Sequence, residues 1–150
     1  MPADPFCVKE QTRRTIFYES RHFMLLYDIK PVVKGHFLIV SKRHVLDLLD
    51  LTKDEIEDFH DTCKKMVPRL LSIYEATDNS YDVTSQIGPY SGRSVGHLHV
   101  HVLPRKKEDF FNRTGKSIFQ ALSQNTTTFT ASDVDAEVAR LRKEFKYELR

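Results

Sequence analysis

Three histidines recur at alternate positions, His97, His99 and His101, interleaved with Leu98 and Val100 and followed by Val102 and Leu103. Such alternation predicts a β-strand, whose successive side chains point to opposite faces at a rise of about 3.3 Å per residue, so the imidazoles share one face. The aliphatic residues then face a core that holds the row rigid. An imidazole titrates near pH ~6.5 and serves as nucleophile, general acid or base, or metal ligand. Three in register without a task would incur desolvation and mutual repulsion. Lone histidines such as His22 and His60 read instead as structural. Two uses of the row fit: a three-histidine zinc site, or a nucleophile directed at phosphorus with two helpers. Spacing does not separate them, and no carboxylate lies near in sequence to complete or orient a metal site.

Several elements must position this strand. Short runs rich in aromatic and β-branched residues, Thr15 to Tyr18, Phe23 to Tyr27 and Phe37 to Val40, predict a meander of antiparallel strands. A long helix follows, with Thr52 and Glu55 spaced as a capping box. Ile56, Phe59, Cys63, Met66, Val67, Leu70, Leu71 and Tyr74 form its apolar stripe, and Pro68 is expected to kink it. Strands at about 81–86 and 96–103 flank a loop whose Gly88, Pro89 and Gly92 signal a turn. The charged, then Thr-rich stretch at about 105–131 reads as a mobile connection. A helix at about 132–149 closes the chain, with Val134, Val138, Leu141, Phe145 and Leu149 on its docking face. The fold class is therefore α+β: an antiparallel sheet of about five strands, one long helix and a C-terminal helix, in a single domain over 1–150.

Composition narrows the class further. With 40% hydrophobic and 29% charged residues the chain has the balance of a soluble globular protein. Neither a secretory leader nor an apolar run of the roughly 18–20 residues a membrane helix requires is visible. A cytoplasmic home is expected, with the nucleus also open. Cys7 and Cys63 are too few for a disulfide framework and read as reduced. A net charge of +2 does not advertise a binder of nucleic acid polymers, although Arg105, Lys106 and Lys107 could attract a phosphorylated small molecule.

The run from His97 to Leu103 resembles the signature of the histidine triad family, His-φ-His-φ-His-φ-φ with φ hydrophobic. Its extension Pro104-Arg105-Lys106, its lead-in Gln86-Ile87-Gly88-Pro89 and the segment Lys30 to His36 are similar to the fragile histidine triad branch, over about Phe17 to Leu122. The resemblance implies hydrolysis of diadenosine polyphosphates, preferably diadenosine triphosphate to AMP and ADP, through a covalent nucleotidyl-histidine. It implies that His99 attacks the α-phosphorus, with its tautomer fixed by main chain near His97. His101 stabilises the leaving charge with support from His36, and His97 shapes the site.

Substrate-binding roles follow from the same likeness. Gln86 reaches the phosphate chain, Ser94 contacts the α-phosphate, and Asp28 accepts from the ribose hydroxyls, unless it is simply a turn residue before Pro31. Phe6, Leu26 and Phe37 line an adenine pocket, with core packing as the competing reading of each. Arg93 stands where relatives carry glutamine and adds charge beside the polyphosphate. Phe119 stands where relatives carry a modifiable tyrosine, so regulation there does not transfer, and Ile87 replaces an acidic residue without derivable consequence. No metal-ligating residue and no tightly bound cofactor are expected; a divalent cation, Mg or Mn, would enter on the polyphosphate. A homodimer joined through two sheets is expected. Two other functions remain open: a nucleoside phosphoramidate hydrolase of the sister branch, and a signalling module that presents slowly turned-over nucleotide to a partner.

Overall fold

Four short apolar runs and the histidine run pair into one antiparallel sheet in the computed structural model of the chain, which describes residues 4–7 and 9–150. The strands are β1 (Ile16–Glu19), β2 (Phe23–Tyr27), β3 (Phe37–Ser41), β4 (Tyr81–Thr84) and β5 (His99–Pro104), in the spatial order β1-β2-β3-β5-β4. The helices are α1 (Lys9–Arg13), α2 (Lys53–Ile73), α3 (Phe110–Thr114), α4 (Ile118–Ser123) and α5 (Ala131–Phe145). The α+β architecture is thus as the sequence predicts. Because β5 inserts between β3 and β4, the histidine strand has a hydrogen-bonded neighbour on each side and all six of its residues are buried.

Register settles which side chains share a face. Met24, Val40 and His99 stand in one row across three strands, and Leu26, Leu38, His101 and Thr84 in another. The alternate rows, Leu25-Ile39-Val100 and Tyr27-Phe37-Val102-Val83, point to the opposite side. There Leu25, Tyr27, Phe37, Ile39, Val100 and Val102 pack with Phe17, Phe23, the α2 residues Met66, Val67, Leu70 and Leu71, and the α5 residues Val134, Val138 and Leu141. Burial of this apolar surface, at about 25 cal/mol per Å², clamps the histidine strand from behind.

The long helix begins as predicted: Thr52 Oγ1 accepts from the Glu55 N–H at 3.2 Å, and Glu55 accepts from the Thr52 N–H at 2.9 Å. Its stripe starts later than the spacing suggests. Ile56 is half exposed, whereas Glu55 is buried and held by the Arg43 guanidinium at 2.7 and 3.2 Å. Hydrogen bonds from Arg43 and from the Thr52 backbone keep the Glu55 carboxyl down at about 2. The helix runs unbroken through Pro68.

Other boundaries differ from expectation. β5 begins at His99 rather than Gly96, and α5 ends at Phe145 because Lys146 turns left-handed (φ 51°), which leaves Leu149 outside the apolar stripe. The stretch read as a mobile connection carries α3 and α4, each capped by a side chain, Asp109 and Ser117, that accepts from a first-turn amide. Thr127 Oγ1 donates to the Pro31 carbonyl at 2.6 Å and pins the Thr-rich loop. The helix α1 had no strong periodic signal over its five residues. Among the described residues no helix is long and apolar enough to cross a membrane.

Candidate active site

The imidazoles are ordered by what each ring nitrogen touches. His99 Nδ1 lies 2.7 Å from the His97 carbonyl oxygen, which can only accept, so Nδ1 carries the proton and Nε2 keeps its lone pair. Ser85 Oγ donates to the His99 carbonyl at 2.8 Å and fixes the backbone beneath the ring. A second chain starts at the Val32 N–H, which donates to His36 Nδ1 at 3.1 Å and so places the His36 proton on Nε2. His36 Nε2 donates in turn to His101 Nδ1 at 2.9 Å, leaving the His101 proton on Nε2. Ring centroids of His99 and His101 lie 5.1 Å apart. One site thus presents a bare nitrogen beside an N–H donor, which suits nucleophilic attack and stabilisation of leaving-group charge.

Burial holds these rings neutral. It pushes His36 down to about 3, and it also lowers His101, whose neighbours His36 and His99 act the same way while Asp28 opposes. His99 is lowered by burial too, with the His97 carbonyl and Asp28 opposing and the charges of His97 and Arg93 assisting. For His36 the consequence is a stability slope. Its folded value lies below its unfolded one, so between pH ~6.5 and ~3 the unfolded chain binds the extra proton and stability falls as pH falls. The unfolding free energy from urea titration is expected to drop across that window by up to about 1.4 kcal/mol per pH unit, and His36→Gln should flatten the slope. An unchanged slope in that variant would remove His36 as the cause.

Most predicted site residues converge here, with one correction. Leu26 lies in the His101 row, and the Phe6 ring sits 5.6 Å from His97 and 5.3 Å from His99. Phe37 does not belong. It packs on the helix side of the sheet, because strand alternation turns it away from Leu38 and the imidazoles. Asp28 is a turn residue, its Oδ1 accepting from the Lys30 N–H at 2.8 Å, and its Oδ2 faces the histidines, 3.4 Å from His36 Nε2 and 3.8 Å from His101 Nδ1. Burial pushes its carboxyl up. Gln86 Nε2 donates to the Ser91 carbonyl at 3.1 Å and to Ser123 Oγ at 3.3 Å, tying the 85–98 loop to α4. Ser94 is exposed and Arg93 half-buried in that loop.

The comparisons now bear on this arrangement. A family model for the HIT domain matches residues 9–108, two thirds of the chain and the whole site except Phe6. The chain belongs to the histidine triad family. Within it, the chain is 37% identical over 129 residues to a bis(5'-adenosyl)-triphosphatase of Saccharomyces cerevisiae, covering 85% of this chain and 58% of that protein. It is 41% identical over 107 residues to the nitrilase and fragile histidine triad fusion protein of Drosophila melanogaster, covering 71% of this chain and 23% of the fusion. The crystal structure of the Caenorhabditis elegans NitFhit protein superposes with a TM-score of 0.68 at 29% identity, over 87% of this chain and 27% of that one. The chain thus spans less than two thirds of the length of these relatives.

Family membership accounts for the histidine row but leaves other groups to be read from the structure. Sequence reasoning missed Val32 and Ser85, which act through a backbone amide and a hydroxyl that carry no pattern. It also missed a cleft beside the row, lined by Phe6, Thr12, Ile16, Met24 and Tyr147. The expectation of no metal ligands rested on the lack of a carboxylate near the triad in sequence; a distant one was left open. Asp4 stands there, its Oδ2 2.5 Å from His97 Nδ1 across 93 residues of sequence.

Proposed function

We propose that the chain hydrolyses dinucleoside polyphosphates, preferably diadenosine triphosphate, by nucleotidyl transfer to His99. The observation that carries this reading is the contact of His99 Nδ1 with the His97 carbonyl, which leaves Nε2 as a fixed nucleophile. In the first step Nε2 bonds to the α-phosphorus and the bond to the bridging oxygen breaks. The His101 Nε2–H is placed to donate a hydrogen bond to that oxygen and stabilise its charge as ADP departs, without giving up its proton. Water then cleaves the phosphorus–nitrogen bond, releasing AMP and restoring the imidazole. Phosphoryl chemistry of this kind depends on positioning and charge stabilisation, which Arg93 and the amides of the 85–98 loop can supply to the phosphates. The triphosphatase name of the Saccharomyces cerevisiae relative supports the triphosphate. Mg or Mn enters with the polyphosphate. Rates on diadenosine triphosphate and on an adenosine phosphoramidate test the choice: AMP and ADP from the first should form faster, and preference for the second would replace the reading.

The apolar surface left by the fold supports a homodimer. β4 is an edge strand with unpaired backbone, and its Tyr81 and Val83, on the α2 side of the sheet, are about half exposed beside Phe59, Cys63 and Val67. A second copy pairing edge to edge would continue the sheet and cover both side chains. Val83→Asp should convert a sedimenting dimer to monomer; a wild-type monomer at micromolar concentration would dispose of the pairing.

A further inference from the structure

The imidazole face of the sheet ends, on the side away from β4, in a carboxylate that the reaction does not use. The cross-strand row that contains the nucleophile runs Glu19, Met24, Val40 and His99, one residue from each of β1, β2, β3 and β5. Residues paired in this way project from the same face, so the Glu19 carboxylate and the His99 ring stand over one surface, three strand spacings or about 14 Å apart. A cleft of about 410 Å³ opens on that surface. Phe6, whose ring is 5.3 Å from His99, and Met24 of the row both line it, as do Glu19 and Lys42.

The C-terminal tail completes the cleft. Lys146 adopts a left-handed φ of 51°, and the Tyr147 N–H donates back to the Arg142 carbonyl at 2.9 Å, so the chain reverses after α5. Arg142 Nε donates to the Ile16 carbonyl at 2.8 Å and fastens the reversal to the start of β1. Tyr147 thereby reaches the imidazole face, where it packs with Phe6 and Met24 against Ile16, Leu26, Leu38 and Val40. Its hydroxyl donates to Glu19 Oε2 at 2.8 Å, and Lys42 Nζ donates to Oε1 at 2.8 Å. Each carboxylate oxygen has then accepted one hydrogen bond and keeps a further lone pair. Burial pushes the Glu19 carboxyl up, but the hydrogen bonds from Lys42 and Tyr147 outweigh it and hold the group below its usual range. At neutral pH it is ionised and can only accept.

We propose that this cleft holds the base of the nucleotide transferred to His99, between Phe6 and Tyr147, and that Glu19 selects adenine by accepting a hydrogen bond from its 6-amino group. The assignment of the base rests on the nucleotidyl transfer proposed above. With the α-phosphorus at His99 Nε2, a purine nucleoside lying along the row brings the edge of its base to Glu19. The apolar and aromatic walls suit the two faces of a purine, and the carboxylate reads its edge. A 6-oxo purine in the same place loses the hydrogen bond and sets its carbonyl oxygen against an anion. Guanine carries its amine at position 2, so it meets Glu19 only by shifting in the cleft. Glu19 is thus a specificity-determining residue, remote from the phosphates, and Tyr147 and Lys42 hold it in place.

Calorimetric titration with monophosphates reads the base contact without turnover. AMP should bind the wild-type chain about 10- to 100-fold more tightly than purine riboside 5'-monophosphate, which has hydrogen in place of the 6-amino group, as expected for one hydrogen bond to a charged acceptor. GMP should also bind more weakly than AMP. In Glu19→Met, which keeps the length of the side chain but accepts nothing, AMP and the 6-hydrogen analogue should bind alike. Lys42→Met removes the ion pair but spares the acceptor, so the preference for AMP should persist there. In steady state Glu19→Met should raise KM for diadenosine triphosphate and leave kcat nearly unchanged, because a contact to the base is the same before and during phosphorus transfer. Equal binding of AMP and its analogue by wild type overturns the proposal, as does a preference that survives Glu19→Met. Loss of the preference in Lys42→Met as complete as in Glu19→Met would mark a disturbance of local structure and overturn it too, and tighter binding of GMP would overturn the choice of adenine. A wild type that binds AMP with this preference but does not turn over diadenosine triphosphate would instead remove the hydrolase reading and leave the base contact standing.

Discussion

His99→Ala is expected to lower kcat/KM for diadenosine triphosphate by about 10^4-fold or more, because removal of a covalent nucleophile eliminates the step on which the others depend. Stability should change far less. The His99 ring makes one hydrogen bond, to the His97 carbonyl just before its strand, and the core behind it is built by Val100 and Val102. The two effects can be separated by pairing steady-state rates with a thermal melt. A more direct reading comes from acid-quenching wild type after a brief exposure to substrate and mapping the AMP adduct by peptide mass. The adduct should reside on the peptide spanning the triad, at His99, and be absent from His99→Ala. An adduct on His101 or His97 would contradict the assignment, since His101 Nδ1 is engaged by His36 and His97 Nε2 by Ser41. Retention of the wild-type rate by the variant would remove covalent catalysis by His99 altogether.

The strand that carries this chemistry was legible from residue order, because alternation is a local property of backbone geometry. The same rule, applied to Phe37, would have placed it correctly had its register against β5 been known. Only pairing reveals that Leu38 and not Phe37 stands opposite His101. Helix α2 was legible from its capping box and stripe, but not the inward turn of Glu55, which depends on Arg43 twelve residues earlier. The division of labour among the histidines was the least legible. It rests on Val32, a main-chain donor, and on Asp4, which arrives from the far end of the chain. Long-range contacts of this kind leave no periodic trace, and a backbone amide has no identity in a sequence at all.

The imidazoles of His36 and His101 also depend on one another more than their spacing suggests. His36 belongs to the bend before β3, yet its single proton decides where the His101 proton resides. That dependency reaches back to the turn at 32–36, where the His36 N–H donates to the Val33 carbonyl at 3.1 Å. Any change that opens this turn should release His36 Nδ1 from Val32 and scramble both tautomers. Turnover should then fall even though no group touching substrate has been altered.

Gly35→Ala tests that dependency and should be the most destabilising single-methyl change in the chain. Gly35 has φ +91°, a region L side chains rarely adopt, and a Cβ built there would lie 2.5 Å from Tyr74 Cγ and 2.7 Å from Cδ2. The Tyr74 ring cannot readily give way: it is buried, tilted against Tyr27 with ring centroids 6.4 Å apart, and covered by the Arg140 guanidinium at 5.4 Å. The Gly35 N–H donates to the Tyr27 hydroxyl at 2.9 Å, which further fixes the backbone. Conformational strain of about 1–2 kcal/mol and overpacking of about 1–3 kcal/mol together predict a loss of roughly 2–5 kcal/mol. For a chain of this size that corresponds to a melting temperature lower by roughly 5–20 °C. The two causes can be told apart. Measured in a Tyr74→Ala background, the cost of Gly35→Ala should shrink by about 1–3 kcal/mol as the clash is relieved, while the φ strain stays. An equal cost in both backgrounds would assign the whole effect to the backbone. Loss of activity should track the clash more than the φ strain, because the methyl group pushes the turn against the same bend that aims His36 at His101.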